Sequence, residues 1–351
     1  MLHFFWSPYI FREDSYNKYE ANNAEICKYA RRVLGKYTDV HLDNFTASRV
    51  TRNPSDILLG HTTFDPVGGA TDDWVRDNAL SSDAPCHPNT YIMIPILPVQ
   101  IAEHKKWSPF ADSQLDAARL IFGICGDHWY ERIQELPTDT PIGRIKHKLV
   151  RINMGCEARL FGSPRRYSPE SMNGLLHLSD LQPHKGFDLL LDSIDPASMR
   201  LHLGSGSLRN HPNQRVRIRD KEVISLGWMD NSNPQVDRFI KEQCAFYIHT
   251  SSLDAQSTAI LENCARGLVP LVTPESGFRS PHAVYLTQDP AENREIILKA
   301  MAMSPAEYEA RSAGVVEQVR TQHSWESIFG TVWQTIQADM RQRGAAGTAP
   351  Q

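Results

Sequence analysis

Short apolar runs bounded by turn residues alternate with longer stretches of helical period along most of this chain, and that alternation admits few folds. Strand, helix and strand in succession build parallel sheets with helices laid on both faces. The first series of runs is Leu2–Trp6, Thr38–Leu42, Ser55–His61, Tyr91–Leu97 and Ala118–Cys125, with helical stretches at 15–34 and 128–136. Between 157 and 174 the texture changes to a segment rich in Pro, Ser, Gly and Arg, which reads as an interdomain linker. A second series follows: strands in LLHLSDL, MRLHLGSG, EVISLGW, AFYIHTS, LVPLVT and AVYLT, with helices at 186–194, at 234–243, from about Thr258 and after Pro290. Ser304-Pro305-Ala306-Glu307 is a capping box with proline at the first helical position, so a further helix starts there. A last helix, 323–342, lines up Trp325, Ile328, Phe329, Val332, Trp333, Ile336 and Met340 in one stripe, with Ser324 as its cap and a frayed tail from Gly344. No internal repeat of fixed period is visible. The expectation is an α/β chain of two domains.

Composition narrows the function classes. At 351 residues each domain can bury its own core. The net charge of −4 gives no basic footprint, so nucleic acid is not an expected partner. No apolar run approaches the roughly 20 residues of a membrane span, and the start lacks the basic segment and cleavage site of a signal peptide. The six cysteines are scattered, without a CxxC pair or zinc spacing, and read as reduced, buried, cytosolic thiols. No metal-ligand cluster is visible.

Three segments could carry chemistry. In Leu178–Ile194 a strand runs through a turn into Lys185-Gly186 at the start of an amphipathic helix, which places a lysine and backbone N–H groups where an anion could sit. In His202–Asn210, Gly204 and Gly206 after a strand permit a tight turn and close approach of a ligand. In Tyr247–Thr273 a strand ends at His249-Thr250-Ser251. Asp254 follows in a loop, Ser257 or Thr258 can cap a helix, and Glu262 lies one turn inside it. Amides there suit phosphate, and the two carboxylates suit hydroxyls of a sugar and a ribose. Taken singly, each segment is as well explained by ordinary structure: a solvated lysine, a strand-ending turn, a loop-stabilising aspartate.

The order of the segments adds what each lacks alone. Lys185-Gly186, Gly204-x-Gly206, YIHTS, Asp254-x7-Glu262 and Ala265-Arg-Gly267-Leu-Val-Pro270 succeed one another as do the motifs of the retaining GT4-like glycosyltransferases, and from about residue 118 to 340 the chain resembles that family. INMGCEARLF resembles the family's hinge segment, and HSWESIFGTVWQTI its closing helix. The resemblance implies a GT-B fold: two Rossmann-like domains facing a cleft, an acceptor domain at 1–160, a donor-binding domain at 161–322, and the 323–342 helix crossing back to the first domain. It implies that Lys185 and the amides near Ser257 and Thr258 hold donor phosphate, that Glu262 holds the ribose, and that Asp254 contacts the donor sugar. Gly204 and Gly206 would let the donor approach the backbone. A catalytic or positioning histidine from the first domain is expected at the cleft, with His61 the first candidate, acting with Asp254, and His104 the second. The activity implied is metal-independent transfer of a sugar from a nucleotide-sugar donor, with no cofactor, to a glycan, lipid-linked or small-molecule hydroxyl acceptor. Contact with a membrane surface stays open.

This chain departs from that pattern in four places. Asp180 stands where the family carries arginine, with Arg209 a candidate to replace that charge. Asp254 is one methylene shorter than the family's glutamate, AQS replaces GFG, and SPYIFRED replaces the glycine pair after the first strand. A GT-B binding or scaffold subunit without transfer activity is therefore the alternative, and a GT-B epimerase or phosphorylase a third possibility.

Overall fold

A computed structural model describes residues 1–5, 21–43, 53–60, 87–106, 109–206, 208–230 and 233–346. The first strands and helices are β1 (Leu2–Phe5), α1 (Ala21–Leu34), β2 (Val40–Asp43), β3 (Ile57–Gly60), β4 (Thr90–Pro95) and α2 (Pro98–Ala102). Next come α3 (Pro109–Ala117), β5 (Ile121–Ile124), α4 (Asp127–Glu135), β6 (Leu149–Ile152), β7 (Gly174–Leu178), α5 (Phe187–Ser193), β8 (Arg200–Gly204) and α6 (Pro212–Asp220). The chain continues with β9 (Ile224–Gly227), α7 (Pro234–Gln243), β10 (Phe246–His249), α8 (Thr258–Ala265), β11 (Val269–Val272) and β12 (Val284–Tyr285). It closes with α9 (Pro290–Met301), α10 (Pro305–Gln322) and α11 (Trp325–Ala346).

Two compact units result. One comprises Met1–Cys125, Tyr130–Asn153 and Trp325–Gln351; the other comprises Gly126–Trp129 and Met154–Ser324. Each is built on a parallel six-stranded sheet, in the order β2-β1-β3-β4-β5-β6 in the first and β12-β11-β10-β7-β8-β9 in the second.

Inside the first unit, α11 lies beside α1. Its apolar stripe supplies Ile328, Phe329, Val332 and Ile336 to the core, Phe329 meeting Phe4 edge-on, and Trp333 stacks on Tyr37. Asp339 on the same helix accepts hydrogen bonds from Tyr91 at 2.7 Å and from Arg119 at 2.7 and 3.0 Å. The helix runs on to Ala346, past the expected break at Gly344.

In the second unit successive strand residues point to opposite faces, and both faces are covered, as parallel sheets require. Leu175, Leu201, Leu203, Phe246, Ile248, Val269 and Leu271 pack on one side with Phe187, Leu190 and Leu191 of α5. Leu176, Tyr247 and Val272 pack on the other with Ile240 of α7, Ile260, Leu261 and Cys264 of α8 and Val315 and Val319 of α10. Each such aliphatic side chain, fully buried, contributes roughly 1.5–3 kcal/mol. The capping signals act locally: Ser304 Oγ accepts from the Glu307 amide at 3.2 Å and Asn233 Oδ1 from the Gln235 amide at 2.9 Å.

Candidate functional site

In the second sheet the chain lays β8 and β9 on one side of β7 and then returns to place β10 on the other. The helices that follow β7 and β10 pack on opposite faces of the sheet, and α/β sheets bind ligands outside the carboxyl ends of two such strands. Lys185 comes from the loop after β7, and Asp254 from the loop after β10.

Glycine allows the first of these loops to reach the second. Gly186 has φ of +72°, and a Cβ on it would stand 1.8 Å from the Thr250 carbonyl oxygen. Thr250 Oγ1 donates to the Gly186 carbonyl at 2.7 Å, and Ser251 Oγ to that of His184 at 2.7 Å. The Asp254 loop is held from its other side. The Asp254 amide donates to the Glu275 carbonyl at 3.1 Å, and the indole N–H of Trp129 donates to the Asp254 carbonyl at 2.7 Å. Gly277, with φ of +75°, lets the 274–277 turn lie against Ala255, where a Cβ would stand 2.1 Å from the carbonyl oxygen. Gln256 is buried and accepts from the Met154 amide at 2.6 Å.

Lys185 Nζ reaches Asp254 Oδ2 at 2.5 Å, and His249 Nε2 lies 3.2 Å from the same oxygen. Burial pushes the Asp254 carboxyl up, but the His249 hydrogen bond and the Lys185 charge outweigh it and hold it below the ordinary value. Behind His249 lies His177, whose Nδ1 donates to the Ile248 carbonyl at 2.9 Å. Burial pushes the His177 imidazole down to about 3, and His249 adds to that. Its Nε2 has no partner among the described residues.

Glu262 is partly buried on the second turn of α8. It and Asp254 both act on Tyr247, whose phenol is pushed far up, first by burial and then by those two negative charges. The pair of acids expected at eight-residue spacing therefore shares one neighbourhood. Ser257 occupies the N-cap position of α8, yet its side chain makes no capping hydrogen bond. The first-turn amides are thus not claimed by a side-chain cap, and they keep their capacity for an anion. The helix after Lys185 spans seven residues, shorter than the 186–194 expected, so Lys185 rather than a helix end supplies positive charge there.

Gly204 ends β8 with the Leu178 and Met229 side chains where its Cβ would be, and Gly206 is exposed beside Trp228. Neither has positive φ, so space rather than turn geometry explains Gly204. Asp180 is exposed in the loop after β7. His61 and the side chain of Arg209 lie outside the described residues. His104 is exposed in the first unit, after α2, with φ of +50°. Among the described residues no three His, Cys, Asp or Glu side chains gather as a metal site would need, and no helix is long and apolar enough to cross a membrane. His249 and Trp129, which hold Asp254, are the two residues of this candidate site that the sequence did not point to. His249 sat within an apolar strand, and its partner became visible only once the next loop turned back.

Comparison with known proteins finds no matching family model and no matching curated protein. Solved structures do match. TarM from S. aureus, in a complex with UDP, fondaparinux and α-GlcNAc-glycerol, aligns with 83% of this chain at 12% identity and a TM-score of 0.55, and this chain covers 57% of its length. The N-terminal domain of a Candida albicans trehalose-6-phosphate phosphatase aligns over 96% of both chains at 10% identity and a TM-score of 0.59. An α-glucosyltransferase in complex with UDP and DNA aligns over 96% of this chain and 98% of its own, at 14% identity and a TM-score of 0.57. At such identities the likeness speaks for the fold, and the chain has the α/β fold of two parallel six-stranded sheets shared with GT-B glycosyltransferases.

Proposed function

We propose that the protein is a glycosyltransferase that takes a sugar nucleotide at the β7/β10 switch point and passes the sugar to a hydroxyl acceptor. The proposal includes retention at the anomeric carbon and needs neither metal nor cofactor. The observation that carries it is the convergence of Lys185, Asp254 and the uncapped first turn of α8 outside the ends of β7 and β10. UDP bound to fold neighbours supports a uridine nucleotide as the first donor to try.

Lys185 and the amides at Ser257 and Thr258 would take the phosphates, Glu262 the ribose hydroxyls and Asp254 the hydroxyls of the sugar. Gly206, exposed beside Trp228, would leave room for the donor at the end of β8, whereas the space at Gly204 is filled by Leu178 and Met229. The bond from the anomeric carbon to the diphosphate oxygen breaks, and a bond to the acceptor oxygen forms on the same face. The acceptor's hydroxyl proton passes to the departing diphosphate, and the positive groups around the phosphate stabilise the departing charge. His61, which follows β3, is the first-domain residue proposed to assist. One fold neighbour is bound to DNA, so nucleic acid belongs among the acceptors to be tried, beside glycans, lipid-linked and small-molecule hydroxyls.

A second reading, a binding subunit without turnover, is favoured by Asp180 at the position of the family's arginine. Ligand-observed NMR with a panel of nucleotides and sugar nucleotides tests the first reading, with Glu262→Ala as control. Binding of one donor, weakened at least tenfold in the variant, supports the site. A folded protein that binds none of them overturns it, and binding without any glycoside formed favours the second reading.

A further inference from the structure

Two cationic or hydrogen-bonding groups meet Asp254, and they are held very differently. Lys185 reaches Oδ2 on a flexible stem, with its side chain 21% exposed. His249 donates to the same oxygen from a ring only 1% exposed at the end of β10, where it stacks on Tyr247 and on His177 at centroid distances of 6.2 and 5.7 Å. Among the described residues, Oδ1 of Asp254 accepts no hydrogen bond.

A phosphate arriving at the switch point competes for the lysine. If the lysine were its only partner, Asp254 would then be a buried carboxylate with too little compensation, and it would take up a proton and stop accepting from sugar hydroxyls. The histidine cannot follow the lysine, because its ring is enclosed.

We propose that His249 is a positioning residue that keeps Asp254 in one rotamer, as a carboxylate with Oδ1 open to a hydroxyl, after Lys185 has passed to the phosphates of the donor. The handover rests on the donor-site reading above; the hold on Asp254 does not. Of the influences on Asp254, burial is the largest and pushes its carboxyl up, and the hydrogen bond from His249 comes next, ahead of the Lys185 charge. Among the described residues, the other titratable groups around Asp254 are His184 beside Lys185, Tyr247 on β10 and Glu262, which acts on the same phenol, with His177 behind His249. Glu275 meets it through its backbone only, its carboxylate lying 3.3 Å from Gln288 Nε2.

Carbon-13 NMR titration of labelled aspartate carboxyls tests the proposal, with Asp254→Asn identifying the resonance. Lys185→Met reproduces loss of the lysine without any ligand, and in it Asp254 should still titrate below the ordinary carboxyl range. Adding His249→Phe, which keeps a stacking ring but has no donor, should raise the Asp254 midpoint by about one pH unit or more. His249→Gln in the same background should restore it, because its amide can reach the position of Nε2. Equal midpoints for Lys185→Met alone and for Lys185→Met combined with His249→Phe would overturn the proposal. If the phenylalanine variant does not fold, His249→Asn, too short to reach, replaces it with the same criterion. Adding UDP to His249→Phe should raise the midpoint as Lys185→Met does. A protein that binds no UDP defeats the donor reading for that nucleotide, while the Lys185→Met comparison still decides the role of His249.

Discussion

Asp339 in the first unit and Asp254 in the second are both carboxylates held below their ordinary range, yet their partners are arranged differently. Both oxygens of Asp339 are engaged: Oδ1 by Arg119, and Oδ2 by Tyr91 and Arg119. Both partners of Asp254 crowd onto Oδ2 instead. A satisfied carboxylate pins a helix to a sheet, whereas one with an oxygen to spare beside a movable lysine can receive a ligand. The two sheets differ in parallel fashion. In the first the chain reverses after one outer strand, so β1 and β3 flank the switch point; in the second it reverses after two, so β7 and β10 do.

The largest effect expected from breaking this contrast comes from Gly186→Val. A Cβ 1.8 Å from the Thr250 carbonyl, at a φ that β-branched residues avoid, should cost the second unit about 3 kcal/mol or more, read as lost amide-exchange protection there with the first unit unchanged. Next is Asp339→Ala, which strips Tyr91 and Arg119 of their partner and should cost the first unit about 2–3 kcal/mol in chemical denaturation. Asp254→Asn should cost less, since Lys185 can turn to water; equal costs would remove the distinction between the two carboxylates.

Acid should act on the second unit through His177. Its imidazole is held near 3 when folded, so below the unfolded value of about 6.5 the unfolded chain binds more protons. Stability should then fall as pH falls, by up to about 1.4 kcal/mol per unit from this residue, and be fully recovered above about pH 6.5. Urea midpoints between pH 7 and 5 in wild type and His177→Gln check this, the variant showing the shallower slope. The smallest contrast is between two caps: Ser304→Ala should cost about 1 kcal/mol, and Ser257→Ala, which loses no capping bond, only a few tenths.

Much of the second unit was legible in the sequence because its punctuation is strong. Pro234–Gln243 matches the expected helix to the residue, and the strands differ from their apolar runs mainly by trimmed ends. Helix α6 was missed because it has no apolar stripe, Ile218 being its only buried residue. Strand β6, in KLVRI, was missed because two of its four residues are only partly buried, so no apolar run marks it. The motif order placed Lys185 and Asp254 in one region but could not pair them, since 69 residues of chain separate the two and only the fold closes that distance. His249 carried no signal of its own.

A donor site at the β7/β10 switch point stands or falls on amide-shift mapping of the labelled protein with UDP. Shifts are expected at Lys185, Gly186, Thr250 and Asp254–Thr258, abolished by Lys185→Met. Shifts confined to the ends of β1 and β3, or none from a folded protein, would contradict it.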